Sequence, residues 1–302
     1  MCVSERWWDL PGVDVCWAAT KIGAEQILGH RESAPVTPAS VMKVQVALAA
    51  SLAMESGRID GRHRVRLDQR TRTPGPVGLS LMDDPAELSL RDLQVLMMTI
   101  SDNVATDAVI RAVGLPEIND LTRRLGLTNT RVTDDLQSML DGMAVDVGFE
   151  DYAALVAHDP ATAGPPNHAE LTARIVHSAA LDPARGSRTT AADMVRLLSR
   201  IWTDEVGSAA AAARVRRLMR NQLTRHRIAS GFGPGVQIAA KSGGLMGIVR
   251  HEVGVVTEPD AGSYAIAIFT RREPGSPTEP KDIDAAIGRL AARLVEQAAA
   301  LE

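Results

Sequence analysis

A serine and a lysine three residues apart stand at the head of a largely apolar run in the stretch TPASVMKVQVA, residues 37–47. Ser40 could be a nucleophile, because a helix would place Lys43 one turn further along the same face, within reach of the hydroxyl. The alternative is an ordinary helix start, in which Ser40 is the N-cap after Pro38 and Lys43 is a solvated side chain of the first turn. The pair by itself leaves both interpretations open.

Two polar triplets further along the chain, Ser101-Asp102-Asn103 and Lys241-Ser242-Gly243, could complete such a site. The first lies between two apolar helical runs, where any of its members could simply cap the next helix. The second ends an apolar strand and precedes a further glycine, as an edge-strand lysine before a turn would. Three groups in this order, each on the kind of element that acyl transfer requires, favour the catalytic interpretation over three unrelated coincidences.

The elements that must position these groups follow from hydrophobic periodicity. Strand patterns occur at 13–19, 25–28, 236–240, 248–257 and 264–270. Helix patterns occur at 40–55, 89–100, 103–113, 190–202 and 281–301, and Ser89-Leu-Arg-Asp92 has the form of a capping box. Strands at both ends and a helical middle predict an α/β lobe built from both termini, with an all-α lobe inserted between them.

The three groups resemble the signature motifs of class A β-lactamases and penicillin-binding proteins, with Lys-Ser-Gly as a variant of Lys-Thr-Gly. The resemblance extends over nearly the whole chain. It implies a single α/β domain of β-lactamase and transpeptidase type over 1–302, in which an antiparallel sheet is flanked by helices from the two terminal regions. The α/β lobe is expected to comprise 1–57 and 228–302, and the helical lobe 58–227.

The resemblance also implies a role for each residue of the reacting centre. Ser40 would attack a carbonyl and form an acyl-enzyme, for which its hydroxyl needs a base. Lys43 can be that base if burial and a second cation such as Lys241 lower the pKa of its ammonium. Ser101 resembles the hydroxyl that relays a proton to the leaving group. The backbone N–H groups of Ser40 and Gly244 would form the oxyanion hole.

A second set of residues is implied to bind the substrate. Asn103 resembles a donor to a substrate amide. Arg250 falls where class A enzymes keep an arginine that helps to hold the substrate carboxylate. The implied substrate-binding residues are Asn103, Lys241, Ser242, Gly243 and Arg250. The expected ligand is therefore a small acyl compound that carries a carboxylate.

The chain departs from the family where a β-lactamase keeps its second base, the Ω-loop glutamate that activates water for deacylation. The corresponding position is Leu136, although Asp134 or Asp135 could substitute with a small shift of register, or be solvated loop acids. The chain also has surplus residues within 133–189, which are expected to form a helical lid. Both departures point away from efficient antibiotic hydrolysis.

These observations predict a serine acyl hydrolase or acyltransferase that acts through acyl-Ser40 on an amide, ester or lactam, with weak or no β-lactamase turnover. An acyl-enzyme that excludes water can await an amine or alcohol instead. Two alternatives stay open. One is a genuine class A-like β-lactamase with a non-standard deacylation base, and the other is an acylatable binding module that senses a ligand.

Composition excludes several other classes of protein. The 302 residues carry a net charge of -4 and include only 3% aromatic residues. The chain therefore has neither the excess of basic residues nor the aromatic side chains that nucleic-acid binding typically uses. The apolar runs are too short to span a membrane. The N-terminus shows no secretory signal, so the sequence predicts a cytoplasmic protein, for which cell-wall cross-linking is a poor fit.

Competing motifs are weak. Cys2 and Cys16 have no metal-ligand spacing and are interpreted as a loose terminal thiol and a small strand residue. The stretch GVQIAAKS, residues 235–242, has Ala240 where a P-loop needs its second glycine. There is no Gly-x-Ser-x-Gly elbow, and the seven histidines have no zinc-binding spacing. We therefore expect neither a cofactor nor a metal, and the oligomeric state is left open.

Overall fold

The computed structural model describes residues 8–259 and 261–300. Its strands are β1 (Val13–Lys21), β2 (Leu28–His30), β3 (Arg64–Leu67), β4 (Ala86–Ser89), β5 (Gln237–Leu245), β6 (Val249–Glu258) and β7 (Gly262–Arg272). Its α-helices are α1 (Lys43–Glu55), α2 (Leu90–Thr99), α3 (Asn103–Val113), α4 (Leu115–Arg124), α5 (Leu136–Asp146), α6 (Tyr152–Ala157), α7 (Pro160–Ala163), α8 (His168–Ile175), α9 (Ala191–Trp202), α10 (Ala209–Arg220) and α11 (Pro280–Ala299). The α/β fold class predicted from the sequence is confirmed.

The main sheet has five antiparallel strands in the order β2-β1-β7-β6-β5. β1 pairs with β7 along its whole length, from Val13 opposite Arg272 to Lys21 opposite Tyr264. The first and the last strands of the chain therefore lie side by side at the centre of the sheet. β5 is an edge strand and carries the Lys241-Ser242-Gly243 triplet.

The largest differences from the predicted element boundaries are in β5 and β2, and the other predicted elements shift by at most two residues. β5 continues to Leu245 instead of ending at residue 240, because the ladder with β6 runs on until Leu245 pairs with Val249. β2 is a short strand at Leu28–His30, displaced from the predicted 25–28. The two-stranded β3-β4 sheet, within the predominantly helical region 58–227, was not predicted.

The helix predicted at 40–55 begins with a 3-10 turn at Ala39–Met42 and becomes α-helical at Lys43. α1 is buried on nearly all sides, so its periodicity is flat and it forms the centre of the molecule. The prediction at 103–113 is confirmed by α3. Ser89 caps α2 by accepting a hydrogen bond from the Asp92 backbone N–H, which confirms the predicted cap.

The sheet has a core on each face. One face packs against α11, with residues such as Trp17, Ile268 and Leu290 in contact. The other face packs against α9 and α10 and includes Cys16, which is buried as the sequence predicted for a small strand residue. Cys2 lies outside the described residues. The 3-10 turn at Ala39–Met42, which precedes α1, contacts β5 and β6.

The surplus region 133–189 holds four helices, α5 to α8. They share a third core with the turn between β5 and β6, where Leu140 and Met143 pack with Ile248 and Val249. The inserted helices therefore lie against the hairpin that carries the second triplet. Within 8–259 and 261–300, no helix combines the length and the apolar character needed to cross a bilayer.

Candidate active site

Ser40 lies inside the 3-10 turn at Ala39–Met42, not at a helix cap. Pro38 occupies the cap position, and no side chain there caps the turn, so the ordinary helix-start interpretation of Ser40 was wrong. The preceding residue, Ala39, has a left-handed backbone with φ 45°. Such strain costs on the order of 1–3 kcal/mol and persists only where the surroundings enforce it.

Lys43 follows Ser40 by one turn, and its backbone N–H donates to the Ser40 carbonyl oxygen. In a 3-10 turn, side chains three residues apart are eclipsed. The Ser40 hydroxyl and the Lys43 side chain therefore project from the same side of the turn. Lys43 is completely buried, which also excludes its interpretation as a solvated first-turn lysine.

The Lys43 ammonium donates to the Ser101 carbonyl oxygen at 2.7 Å, to Ser101 Oγ at 3.1 Å and to Asn103 Oδ1 at 3.1 Å. Burial, and next the charge of Lys241, lower the pKa of Lys43 well below its ordinary value, against the opposing effect of Asp102 and Asp107. A lysine with a lowered pKa is available as a neutral base.

The three residues of the first triplet, Ser101-Asp102-Asn103, make two different kinds of contact. Asp102 is the N-cap of α3, since its carboxylate accepts from the backbone N–H of Ala105 at 2.8 Å, and it also accepts from Leu79 N–H at 2.7 Å. Ser101, with φ 65°, and Asn103 instead contact Lys43. Asn103 Nδ2 donates to the Pro74 carbonyl at 2.8 Å, which fixes the orientation of its amide.

Lys241, from the second triplet, is also completely buried. Its ammonium donates to the Ser242 carbonyl oxygen at 2.9 Å. Burial, with the help of the Arg227 charge and against the effect of Glu252, lowers the pKa of Lys241 to about 7. Because each lysine is buried and Lys241 lowers the pKa of Lys43, the structure brings together two of the predicted motifs as one electrostatic unit.

Gly243 allows a close approach between β5 and the 3-10 turn at Ala39–Met42. A Cβ atom at this position would lie 3.1 Å from the Pro38 carbonyl oxygen and 3.2 Å from the Val41 backbone nitrogen. Only glycine allows this approach without displacing backbone. Gly244, the next residue, is exposed and has open space around it, with the Val249 carbonyl oxygen 3.5 Å from such a Cβ. The end of β5 thus lies beside the turn that contains Ser40.

Arg250 lies opposite Gly244 in the β5-β6 ladder, but its guanidinium is engaged. Both Nε, at 2.9 Å, and Nη2 donate to the two carboxylate oxygens of Asp284. Arg227 Nε donates to the same carboxylate at 2.7 Å, and Arg227 Nη1 holds the carbonyl oxygens of Gly243 and His251. Arg250 is therefore placed near the predicted carboxylate site in a fixed bidentate pair.

The region that should supply the second base contains a buried leucine and a helix cap. Leu136 is 5% exposed. Asp135 is the N-cap of α5 and accepts from Ser138 N–H at 2.9 Å. Asp134 is exposed and accepts from the Thr133 hydroxyl at 2.7 Å. Asp134 also lines a cavity of about 160 Å³ that Ala39 and Met42 line from the other side.

Four functional candidates were not predicted from the sequence. Asp107 binds the backbone N–H groups of Leu136 and Gln137 at 2.8 and 3.0 Å and so anchors the first turn of α5 to α3. Burial raises the pKa of Asp107, although hydrogen bonds from Thr73 and from those backbone groups oppose the rise. The other three are Gln222, Glu252 and Asp284. For Asp107, Glu252 and Asp284, the only signal was a single acidic letter within a strand or helix, and Gln222 lies in the loop after α10, where nothing distinguished it.

The His251 side chain holds the segment that precedes the 3-10 turn at Ala39–Met42. Its Nδ1 accepts from the Thr270 backbone N–H at 3.0 Å, so its Nε2 carries the proton and donates to the Thr37 carbonyl oxygen at 3.1 Å. Burial, followed by the charge of Arg227, lowers the pKa of His251 to about 3, which keeps the ring neutral. The segment that leads into Ser40 is thus held by a fixed hydrogen bond.

Comparison with known proteins agrees with this arrangement. The family described as "Beta-lactamase enzyme family" matches residues 10–298. The "Beta-lactamase regulatory protein BlaB" of Streptomyces cacaoi is 29% identical over 279 residues, which cover 88% of this chain and 87% of that protein.

Solved structures share the fold. A β-lactamase from Sphaerobacter thermophilus DSM 20745 has a TM-score of 0.72 at 23% identity, covering 96% of this chain and 92% of that one. A point mutant of PBP-A, solved as an acyl-enzyme complex with penicillin G, has a TM-score of 0.72 at 20% identity, with 95% and 92% covered. The match to the family over nearly the whole length, on this fold, shows that the chain belongs to the β-lactamase enzyme family.

Proposed function

We propose that this protein is a serine acyl hydrolase or acyltransferase that works through an acyl-Ser40 intermediate and deacylates slowly in water. The observation that carries the proposal is the environment of Lys43. Lys43 is completely buried, follows Ser40 by one turn, and has its side-chain nitrogen hydrogen-bonded to Ser101 and Asn103. Its lowered pKa suits a base for the neighbouring hydroxyl.

In the proposed acylation step, Ser40 Oγ attacks the substrate carbonyl and its proton passes to neutral Lys43. The Ser101 hydroxyl, 3.1 Å from the Lys43 nitrogen, returns a proton to the leaving group. The N–H groups of Ser40 and Gly244 stabilise the oxyanion, and one such donor typically contributes about 3 kcal/mol in the transition state. Asn103 donates to a substrate amide.

The proposed substrate is a small acyl compound with a carboxylate, which Lys241 and Ser242 would bind at the end of β5, next to Gly243. Arg250 adds positive potential through its pair with Asp284, and direct contact would require it to exchange one hydrogen bond.

Slow deacylation is supported by the residues around α5. Leu136, where the class A pattern has a glutamate, is buried and cannot activate water. Asp135 is committed to the helix cap, and Asp134 is exposed and hydrogen-bonded to Thr133. An acyl-enzyme without a base for water persists until an amine or alcohol accepts the acyl group.

A second candidate is a regulatory module that is acylated once and signals. It is favoured by the name of the Streptomyces cacaoi relative, a β-lactamase regulatory protein. In such a module the inserted helices α5 to α8, which pack on Ile248 and Val249, would carry the signal away from the site.

The test uses a p-nitrophenyl ester with a free carboxylate, with and without butylamine, and follows p-nitrophenolate release. The proposal predicts a burst of one equivalent per chain and a slow steady state that butylamine accelerates. A burst that the amine does not accelerate would favour the regulatory module. Fast turnover without amine, lost when Asp134 and Asp135 are both changed to Asn, would show a genuine β-lactamase-type deacylation. The absence of any burst would refute the proposal.

A further inference from the structure

A cavity of about 210 Å³ is lined by strands of the main sheet and by the segment 31–37, which leads into the turn that contains Ser40. Its floor includes a row of side chains on one face of the sheet, because Cys16 on β1 pairs with Phe269 on β7, and Phe269 pairs with His251 on β6. None of the lining residues belongs to the three motifs. The cavity is therefore separate from the proposed acylation site.

The floor of the cavity is largely apolar. Cys16 is 5% exposed, and Phe269 and Val249 are each 1% exposed. The Phe269 ring contacts the neutral His251 ring, with 4.9 Å between the ring centroids. A buried thiol behaves as a small apolar group. Since an apolar cavity of about 150 Å³ can bind benzene, the volume here suits an apolar body of roughly six to ten non-hydrogen atoms.

The charges that line the cavity do not cancel. Arg271 Nη1 and Nη2 donate to the uncharged carbonyl oxygens of Leu181 at 2.7 Å and Val176 at 2.8 Å, and no carboxylate within 8–259 and 261–300 forms an ion pair with this arginine. Arg31 Nη1 lies 3.8 Å from Asp14 Oδ1, too far for a hydrogen bond, and both side chains are more than half exposed. Two arginines and one aspartate leave an excess of positive charge, which favours an anionic ligand.

We propose that this cavity is a second binding site, which takes a small carboxylic acid with a compact apolar body. The apolar body lies against Cys16, Phe269 and Val249. The carboxylate pairs with Arg31, whose guanidinium has only the long contact with Asp14 among the described residues and is free to form charge-assisted hydrogen bonds. An amine of the same shape meets the excess positive charge, and an alcohol lacks the ion pair. The inference goes beyond the proposed function and does not depend on it.

Titration calorimetry at about pH 7 and low salt tests the chemical class with three probes of similar shape: benzoate, benzyl alcohol and benzylamine. Benzoate should bind about fivefold more tightly than benzyl alcohol, as expected for a partly exposed ion pair, and benzylamine should bind most weakly. Arg31→Gln should lower the affinity for benzoate about fivefold and leave that for benzyl alcohol unchanged. Arg66→Gln, the same change at an exposed arginine outside the cavity, should match wild type.

Two variants that fill the cavity test the location. Cys16→Leu enlarges a side chain of the floor, and Ala34→Leu enlarges one of the segment 31–37. Each should lower the affinity for benzoate about tenfold or more, because the ligand and the added atoms compete for the same space. Ala210→Leu, at an exposed position of α10, is the matched control for Ala34→Leu. Lys241→Met removes the cation of the proposed substrate site and should retain benzoate binding. Thermal unfolding identifies the variants that fold.

The outcomes separate this site from the proposed substrate site. Absence of benzoate binding to wild type up to about 20 mM, the weak limit for a ligand of this size, would overturn the inference. Equal or tighter binding of either uncharged or cationic probe, or unchanged benzoate binding by Arg31→Gln, would overturn the assignment of a carboxylate ligand. Unchanged benzoate binding by every filling variant that folds, or loss of binding in Lys241→Met alone, would overturn the location. A protein that binds benzoate as predicted but never acylates Ser40 would refute the proposed function and leave this inference intact.

Discussion

At the scale of single residues, the proposed chemistry depends on Lys43, which is completely buried, follows the proposed nucleophile Ser40 by one turn and contacts the proposed relay Ser101. Ser101 Oγ and Asn103 Oδ1 are each 3.1 Å from its nitrogen. These contacts orient the lysine. As the proposed base, it could be replaced only by another group that can lose a proton near neutral pH.

Lys43→Met and Lys43→Arg should both slow acylation by about 10² to 10⁴. Methionine has no basic nitrogen, and arginine stays protonated, so the retained charge does not help. In wild type, acylation needs neutral Lys43, and its rate should increase as the pH rises through the lowered pKa of that residue. Stopped-flow measurement of the p-nitrophenolate burst gives both results. A Lys43→Arg variant that acylates at the wild-type rate would contradict the role of Lys43 as base.

The proposed reacting residues could be selected from the sequence because their spacing follows the local geometry of one turn and the ends of two elements. Glu252 and Asp107 were not, since a single acidic letter does not reveal whether its side chain is buried or which backbone groups it binds. Arg250 was located correctly on the next strand, but its pair with Asp284 depends on a contact across 34 residues.

At the scale of elements, the contact between β5 and the 3-10 turn at Ala39–Met42 sets the geometry of the proposed oxyanion hole. Gly243 permits that contact, whereas Gly244 has open space for a methyl group. The sequence placed the end of this strand at residue 240, because glycines and a lysine usually mark a turn. The ladder with β6 overrides this local preference as far as Leu245.

Gly243→Ala should therefore move β5 away from the turn. An overpacked contact of this kind typically costs about 1–3 kcal/mol, and a displacement of about 1 Å at a reacting centre can lower the rate by about 10². Thermal unfolding and the acylation burst measure the two effects. Gly244→Ala is the matched control for stability and should leave the unfolding temperature unchanged. Equal unfolding temperatures for the two variants would contradict the close approach at Gly243.

At the scale of the whole molecule, three cores meet around the site. The sheet packs on α11 and, with its other face, on α9 and α10, and the inserted helices α5, α6 and α8 share a core with the β5-β6 turn. The strands of the main sheet and the helices α1, α2, α3, α9 and α11 were predicted from periodicity, whereas the β3-β4 sheet and the individual helices α4 to α8 and α10 were not. The arrangement of the insertion was not, because it depends on long-range contacts such as that between Asp107 and Leu136.

The central claim is that Ser40 forms an acyl-enzyme that this protein releases slowly. Intact-protein mass spectrometry over time, after mixing with benzylpenicillin, tests it most directly, with Ser40→Ala as the control. The account predicts one adduct per chain that persists on the wild type and never forms on Ser40→Ala. An adduct on Ser40→Ala, no adduct on the wild type, or an adduct that disappears rapidly with release of hydrolysed product would contradict it.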